Sequence, residues 1–157
     1  MAATPATAVL DAAGVAYSLH PYDHDPGNVH FGDEAARALG VDPLRIFKTL
    51  VVDAGDRQLA VAVVPVAAQL DLKAMAATLG AKKVDLAAPA LAARSSGYIV
   101  GGISPIGQKN PLPTVIDETA ELFDTVFVSA GKRGLQVSLS PGDLAAVTQA
   151  RFADIAR

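Results

Sequence analysis

Apolar and polar positions change their period along this chain in a way that marks out its elements. After Thr4 and Pro5, apolar residues recur at helical spacing as far as Gly14, which predicts a helix opened by a threonine-proline start and stopped by glycine. "VAYSLHPY" (15–22) alternates like a half-buried strand, and the polar, turn-rich residues 23–32 predict a loop. "DEAARALG" (33–40) has acids in its first turn and a terminal glycine, the pattern of a short helix. "IFKTLVVD" (46–53) and "RQLAVAVVP" (57–65) flank the turn "AGD" and predict an antiparallel hairpin. Asp71 caps a helix ending at Gly80, and "APALAARSS" (88–96) predicts another. A strand "TVIDE" (114–118) comes next, then a hairpin of "TVFVSA" and "LQVSLS" joined by "GKRG", then a closing helix "PGDLAAVTQA" (141–150). Helices mixed with antiparallel strands predict one compact α+β domain over residues 1–157, with a curved central sheet.

Composition narrows the function classes. The chain has 157 residues, 51% of them hydrophobic, enough for a core that stands alone. With no apolar run of the roughly 20 residues that cross a bilayer and no export-type N-terminus, the expectation is a soluble, cytoplasmic protein with no membrane partner. Zero cysteines exclude disulfides, thiolate metal sites and a cysteine nucleophile supplied by the protein. A net charge of −3 argues against bulk electrostatic binding of DNA or RNA, so any nucleic-acid contact must be local.

The least ordinary stretch is "GYIVGGISPIGQKNPLPT" (97–114), with four glycines and three prolines. Gly102 and Gly107 have the spacing of a phosphate-binding loop, yet Gln108 stands where its lysine belongs, and "GISPI" lacks the second glycine of a nucleophile elbow. Two readings remain: a tight structural crossover, or a loop whose backbone N–H groups point into a cavity and hold an ester carbonyl. "HPYDHDPGNVH" (20–30) groups His20, His24 and His30 with Asp23 and Asp25, without a recognisable metal-binding pattern. It predicts a polar loop, with Tyr22 and Phe31 able to line a pocket wall, and no metal or cofactor. Lys48 opens an apolar strand; alternation sends it either to solvent or across a cleft toward a phosphate or carbonyl.

Taken together, "HDPGNVHFGDEAA", "IFKTLVV", "GAKKVDLA", "SSGYIVGGISPIGQKNPLPTVID" and "VFVSAGKRGLQVSL" resemble the YbaK family, free-standing deacylases related to the editing domain of bacterial prolyl-tRNA synthetases. The resemblance covers essentially the whole chain. It implies a curved, barrel-like, mixed or antiparallel sheet flanked by helices. It also implies hydrolysis of the ester on mischarged Cys-tRNA(Pro), with the substrate's own thiol as attacking group. Lys48 would then orient the substrate, and Gly101 and Gly102 would hold the ester carbonyl. Tyr22, Phe31, Thr49, Ile103, Ser104 and Ser129 would shape the aminoacyl pocket. Lys82, Lys83, Arg94, Lys109, Lys132 and Arg133 form a candidate basic rim for tRNA, and prolyl-tRNA synthetase is the implied transient partner. Two competing readings are a deacylase for another charge such as Ala-tRNA(Pro) and a non-catalytic tRNA- or synthetase-binding module. The chain departs from the family pattern at Asn110 and Pro111, where relatives often carry basic residues, and at Gln136, where some carry aspartate.

Overall fold

The computed structural model describes residues 3–157. In chain order it contains α1 (Pro5–Ala13), β1 (Ser18–Pro21), α2 (Phe31–Leu39), β2 (Phe47–Asp53), β3 (Leu59–Pro65), α3 (Leu72–Leu79), β4 (Asp85–Leu86), α4 (Pro89–Ser96), β5 (Thr114–Asp117), β6 (Val126–Lys132), β7 (Leu135–Leu139), α5 (Pro141–Thr148) and β8 (Arg151–Ala153). A 3-10 turn, Glu118–Leu122, follows β5. Helix ends follow the local chemistry: Thr4 forms a reciprocal capping box with Thr7, Asp71 and Ser140 accept from the third helical N–H, and α1 to α4 stop at glycines.

The strands form two sheets, ordered β1-β7-β6 and β4-β2-β3-β5-β8. Neither closes on itself, and a single parallel bridge, Ile46 to Phe127, links them, so the barrel-like expectation is corrected to two open sheets. No ladder joins β2 to β6 beyond that bridge, and β2 pairs with β4 only at Val52 and Asp53, so the edge between them stays open. The larger sheet is mixed: β2 and β3 form the predicted antiparallel hairpin, while β3–β5 and β5–β8 are parallel.

β3 explains the layering. Val61 and Val63 face a core shared with Leu10, Ile116, Val128, Val137 and Leu144, whereas Ala60, Ala62 and Val64 face a second core with Met75, Val115 and Ile155. A strand buried on both faces reads as an unbroken apolar run, as "LAVAVVP" does. Three expectations shift. The strand expected over 15–22 pairs only over Ser18–Pro21, because Val15 and Tyr17 pack on the core without a ladder partner. Helix α2 starts two residues early, at Phe31, and β4 and β8 escape notice because two and three residues carry no readable alternation.

Asp117 ties the C-terminal segment to the sheet. The residue is 1% exposed, and its carboxylate accepts from the Ile155 and Ala156 N–H groups at 3.0 Å and from the Thr119 N–H at 3.2 Å. Asp117→Ala leaves these donors buried without acceptors, and the expected loss is about 2 to 4 kcal/mol, read from the urea midpoint at constant slope. A midpoint within error of wild type would show that the C-terminal segment holds without it.

Candidate active site

The cavity grows out of the gap between the sheets. Five consecutive residues of β2, Phe47 to Val51, border a space of about 350 Å³, together with Phe31 and Gly32, Leu86 and Ala87, Pro89 and Ala92, Val100, Gly101 and Ile103, and Ser129 and Gln136. The Val51 carbonyl accepts the Ala87 N–H on the outer side of β2, whereas the Ile46 carbonyl accepts the Val66 N–H on the inner side. Antiparallel alternation therefore also turns the peptide groups of Thr49 outward, toward the cavity.

Lys48 is half-buried here, not on an open solvent face. Burial pushes its ammonium below the ordinary lysine range, while the charge of Asp33 pulls the other way. The rest of the lining is largely apolar, supplied by Phe31, Phe47, Leu50, Val51, Leu86 and Val100.

The glycine–proline loop forms the opposite wall, and it is pinned at several points. The buried Tyr98 hydroxyl donates to the Ile106 carbonyl at 2.6 Å, and burial pushes the phenol up to about 12. Arg133 Nε donates to the Val100 carbonyl at 2.8 Å, and its guanidinium lies 4.9 Å from the Phe31 ring centre. The Gln108 amide donates to the Ser104 carbonyl at 3.0 Å. Asn110 donates to the Ser95 carbonyl from its side chain, at 3.0 Å, and from its backbone, at 3.1 Å.

Glycine is required at 101 and 102 for two different reasons. Gly101 sits at φ +89°, and a Cβ there would come within 2.6 Å of the Phe31 ring. Gly102 is buried, and a Cβ there would come within 2.8 Å of the Lys132 backbone. Their N–H groups also differ. That of Gly102 donates to the Ile99 carbonyl at 2.9 Å, while those of Gly101 and Ile103 have no acceptor among the described residues. The free backbone donors on the loop wall of the cavity are thus Gly101 and Ile103.

Of the residues singled out from the sequence, Phe31, Lys48, Thr49, Gly101, Ile103 and Ser129 share this lining, and Tyr22, Gly102 and Ser104 lie outside it. Ser104 is fully buried, its Oγ accepting the Ile106 N–H at 3.2 Å. Burial pushes the Tyr22 phenol above its ordinary range. Leu50, Leu86 and Val100 went unread because an apolar residue carries no chemical signature in sequence.

The histidines serve separate contacts. His20 Nε2 lies 2.8 Å from Ser138 Oγ, His24 Nδ1 lies 2.6 Å from Glu34 Oε1, and His30 is exposed. No three metal-ligating side chains converge among the described residues.

The fold and cavity define an α+β domain whose sheet gap holds an acyl-sized, largely apolar pocket with one ammonium and free backbone donors. A family model described as the aminoacyl-tRNA editing domain matches residues 27–147. The chain is 42% identical over 123 residues, 78% of its length and 75% of the relative's, to an Enterococcus faecalis protein provisionally named Cys-tRNA(Pro)/Cys-tRNA(Cys) deacylase EbsC. It is 29% identical over 112 residues, 71% of each chain, to a Bacillus subtilis protein named only as the uncharacterised YwhH. A crystal structure provisionally described as a trans-editing enzyme for prolyl-tRNA synthetase superposes with a TM-score of 0.85, over 100% of this chain and 99% of that one, at 25% identity. The chain belongs to the aminoacyl-tRNA editing-domain family, as its resemblance to the YbaK proteins implied. Its class is that of hydrolases acting on the ester of an aminoacyl-tRNA.

The two glycines separate in a mutational cycle. Gly101→Ala and Gly102→Ala should each lower stability by about 1 to 3 kcal/mol, the usual cost of overpacking. In a Phe31→Ala background the Gly101→Ala cost should shrink, since its obstacle is that ring, and the Gly102→Ala cost should persist, since its obstacle is main chain. Equal relief of both costs in urea titrations would contradict this packing.

Proposed function

We propose that residues 1–157 act as one free-standing editing domain that hydrolyses mischarged Cys-tRNA(Pro) in the cytoplasm. The observation that carries this reading is that Lys48 and the free N–H groups of Gly101 and Ile103 border one largely apolar cavity, in a chain of the editing family. Discrimination between amino acids of similar bulk by an apolar pocket is worth only about 1 to 3 kcal/mol, which is why a second hydrolytic sieve is needed. Among the described residues no helix is long and apolar enough to cross a membrane.

In this reading the ester carbonyl oxygen meets the Gly101 and Ile103 N–H groups, which stabilise the negative charge that develops there. Gly102 and Ser104, buried in the same loop, support that wall from behind. The chain has no cysteine, and the cysteinyl substrate brings its own thiol. The Lys48 ammonium favours the thiolate over the free thiol, whose ordinary pKa is about 8.5. The thiolate attacks its own carbonyl carbon: a C–S bond forms, the C–O bond to the ribose breaks, and the departing oxygen takes a proton. Water then opens the small cyclic thioester and releases cysteine. Thr49, Phe31 and Ser129 bound the space in which the side chain folds back.

The first test charges proline tRNA separately with cysteine, alanine and proline and follows deacylation by the purified protein. Cysteine should be released fastest, and release of alanine at an equal rate would move the assignment to the alanine branch. Lys48→Ala should reduce cysteine release by at least about 100-fold, as removal of one transition-state charge does, with the melting temperature unchanged. The sign of the pH dependence follows from the same lysine. Activity needs the protonated ammonium, so kcat/KM should fall on the basic side at a pH below the ordinary lysine value of 10.5. Lys48→Arg should retain the charge and move that limb upward. A profile unchanged in Lys48→Arg would remove Lys48 from the titration.

Recruitment follows from surface charge. Lys82, Lys83, Arg94, Lys109, Lys132 and Arg133 are all exposed, but Lys83 is within 3.7 Å of Asp85 and the net charge is −3. Such a surface gives little long-range pull on an RNA backbone. Alone, the protein should clear Cys-tRNA(Pro) and Cys-tRNA(Cys) alike; with prolyl-tRNA synthetase holding the tRNA, the proline species should be preferred. Selective clearance of Cys-tRNA(Pro) by the isolated protein at nanomolar affinity would contradict recruitment.

A further inference from the structure

Five large apolar side chains are more than half exposed among the described residues: Val29, Leu44, Leu86, Ile99 and Leu122. Leu86 lines the cavity, and Val29 and Ile99 stand within two positions of Phe31 and Val100, which line it too. Leu44, 53% exposed, and Leu122, 79% exposed, lie instead ahead of the Ile46–Phe127 bridge, before β2 and β6 begin. Single exposed leucines are ordinary on a protein surface. These two sit on segments that are fastened together. Arg45 Nε donates to the Thr125 carbonyl at 2.8 Å, the Phe127 N–H donates to the Arg45 carbonyl at 3.1 Å, and the guanidinium lies 5.2 Å from the Phe127 ring centre.

The charges around them are of one sign. From residue 110 to residue 131 the chain has no lysine or arginine, and its exposed acids are Glu118, Glu121 and Asp124. None of the three forms an ion pair among the described residues. Exposed Asp42 adds a fourth carboxylate beside Leu44, whose N–H it accepts at 2.9 Å. The candidate basic rim is at the other end of the same strands. Because the Ile46–Phe127 bridge is parallel, β2 and β6 run past it in one direction. Lys82 and Lys83 precede β4, which pairs with the last two residues of β2, and Lys132 and Arg133 lie where β6 ends.

An acid-rimmed apolar face repels phosphates, so RNA is a poor occupant. A second copy docked by two-fold symmetry would set these acids against themselves. The complementary occupant is a protein with exposed cations around an apolar patch, and a protein that holds tRNA carries cations.

We infer that the face formed by Leu44 and Leu122 with Glu118, Glu121, Asp124 and Asp42 docks on a cationic surface of prolyl-tRNA synthetase, leaving the opposite, basic end and the cavity free for the acylated end of the tRNA. This rests on the recruitment reading and adds the surface that performs it.

The experiment measures binding of the purified cognate synthetase, and hydrolysis of Cys-tRNA(Pro) and Cys-tRNA(Cys) with and without it. The variants are Leu44→Ser with Leu122→Ser, and Glu118→Lys with Glu121→Lys and Asp124→Lys. The leucine pair should hydrolyse both esters alone at the wild-type rate. Both variants should bind the synthetase at least about 10-fold more weakly, as loss of an interface anchor does, and lose the preference for Cys-tRNA(Pro) that the synthetase confers. Wild-type binding should also weaken as salt rises, and that dependence should shrink in the charge variant. Folded variants that bind and discriminate like the wild type would overturn the inference and leave recruitment in place. A leucine pair that is equally slow with and without the synthetase would assign the face to tRNA, and loss of a wild-type dimer in sedimentation with synthetase binding intact would assign it to a second copy; either overturns the inference. If a combined variant does not fold, Leu122→Ser and Glu121→Lys singly, at positions with exposed side chains, take its place. A wild-type protein that neither binds the synthetase nor gains a preference from it would overturn the recruitment reading, and this inference with it.

Discussion

Between its bridge to β6 at Ile46 and its first pair with β4 at Val52, β2 runs along the gap that separates the two sheets. A strand edge exposes a row of N–H and C=O groups, which folded proteins must cover, pair or use. Here the edge borders a cavity. α2 covers it at Phe31, α4 at Pro89 and Ala92, and the glycine–proline loop at Gly101 and Ile103. Had β2 continued along β6, the sheets would have joined and the space for a ligand would have been filled with ladder hydrogen bonds. The site exists because the sheet does not close.

The second requirement is that the loop across the gap holds its shape. Its exposed side carries Ile99 and Val100, while its inner side rests on three bodies at contact distance: the Phe31 ring at Gly101, the β6–β7 turn at Gly102, and the Pro5 carbonyl at Gly107. Side chains would wedge these apart. The loop is therefore rigid through exclusion of volume as much as through hydrogen bonds, and free N–H groups held by such a frame need no reorganisation when a carbonyl arrives.

Much of this was legible in the sequence, for identifiable reasons. Lys48 stood out as a charge at the head of an apolar strand, and the paired glycines as a backbone with unusual freedom; Lys48 and Gly101 line the cavity, while Gly102 does not. The sequence did not distinguish between the glycines. That the Gly102 N–H is spent on Ile99 while that of Ile103 is free depends on a turn geometry that composition does not encode. Ser104 was grouped with the pocket by the family resemblance, but the chain direction there turns its hydroxyl inward. The parallel pairs of β5 escaped because local alternation says that a strand exists and not which strand lies beside it.

The pairing of β1 with β7 sets Ser18 opposite Ser138. The cavity likewise draws on residues from Phe31 to Gln136. Contacts so distant along the chain must wait for nearly all of it to be available, because loop closure is costly before the partner arrives. On the ribosome, where segments emerge from the N-terminal end, a nascent chain holding α1, β2 and even the glycine–proline loop still lacks the β6–β7 hairpin that seats Gly102 and carries Ser129 and Gln136. An enzyme that strips amino acids from tRNA is thus assembled in a form that stays inert beside the translating machinery until the β6–β7 hairpin has emerged.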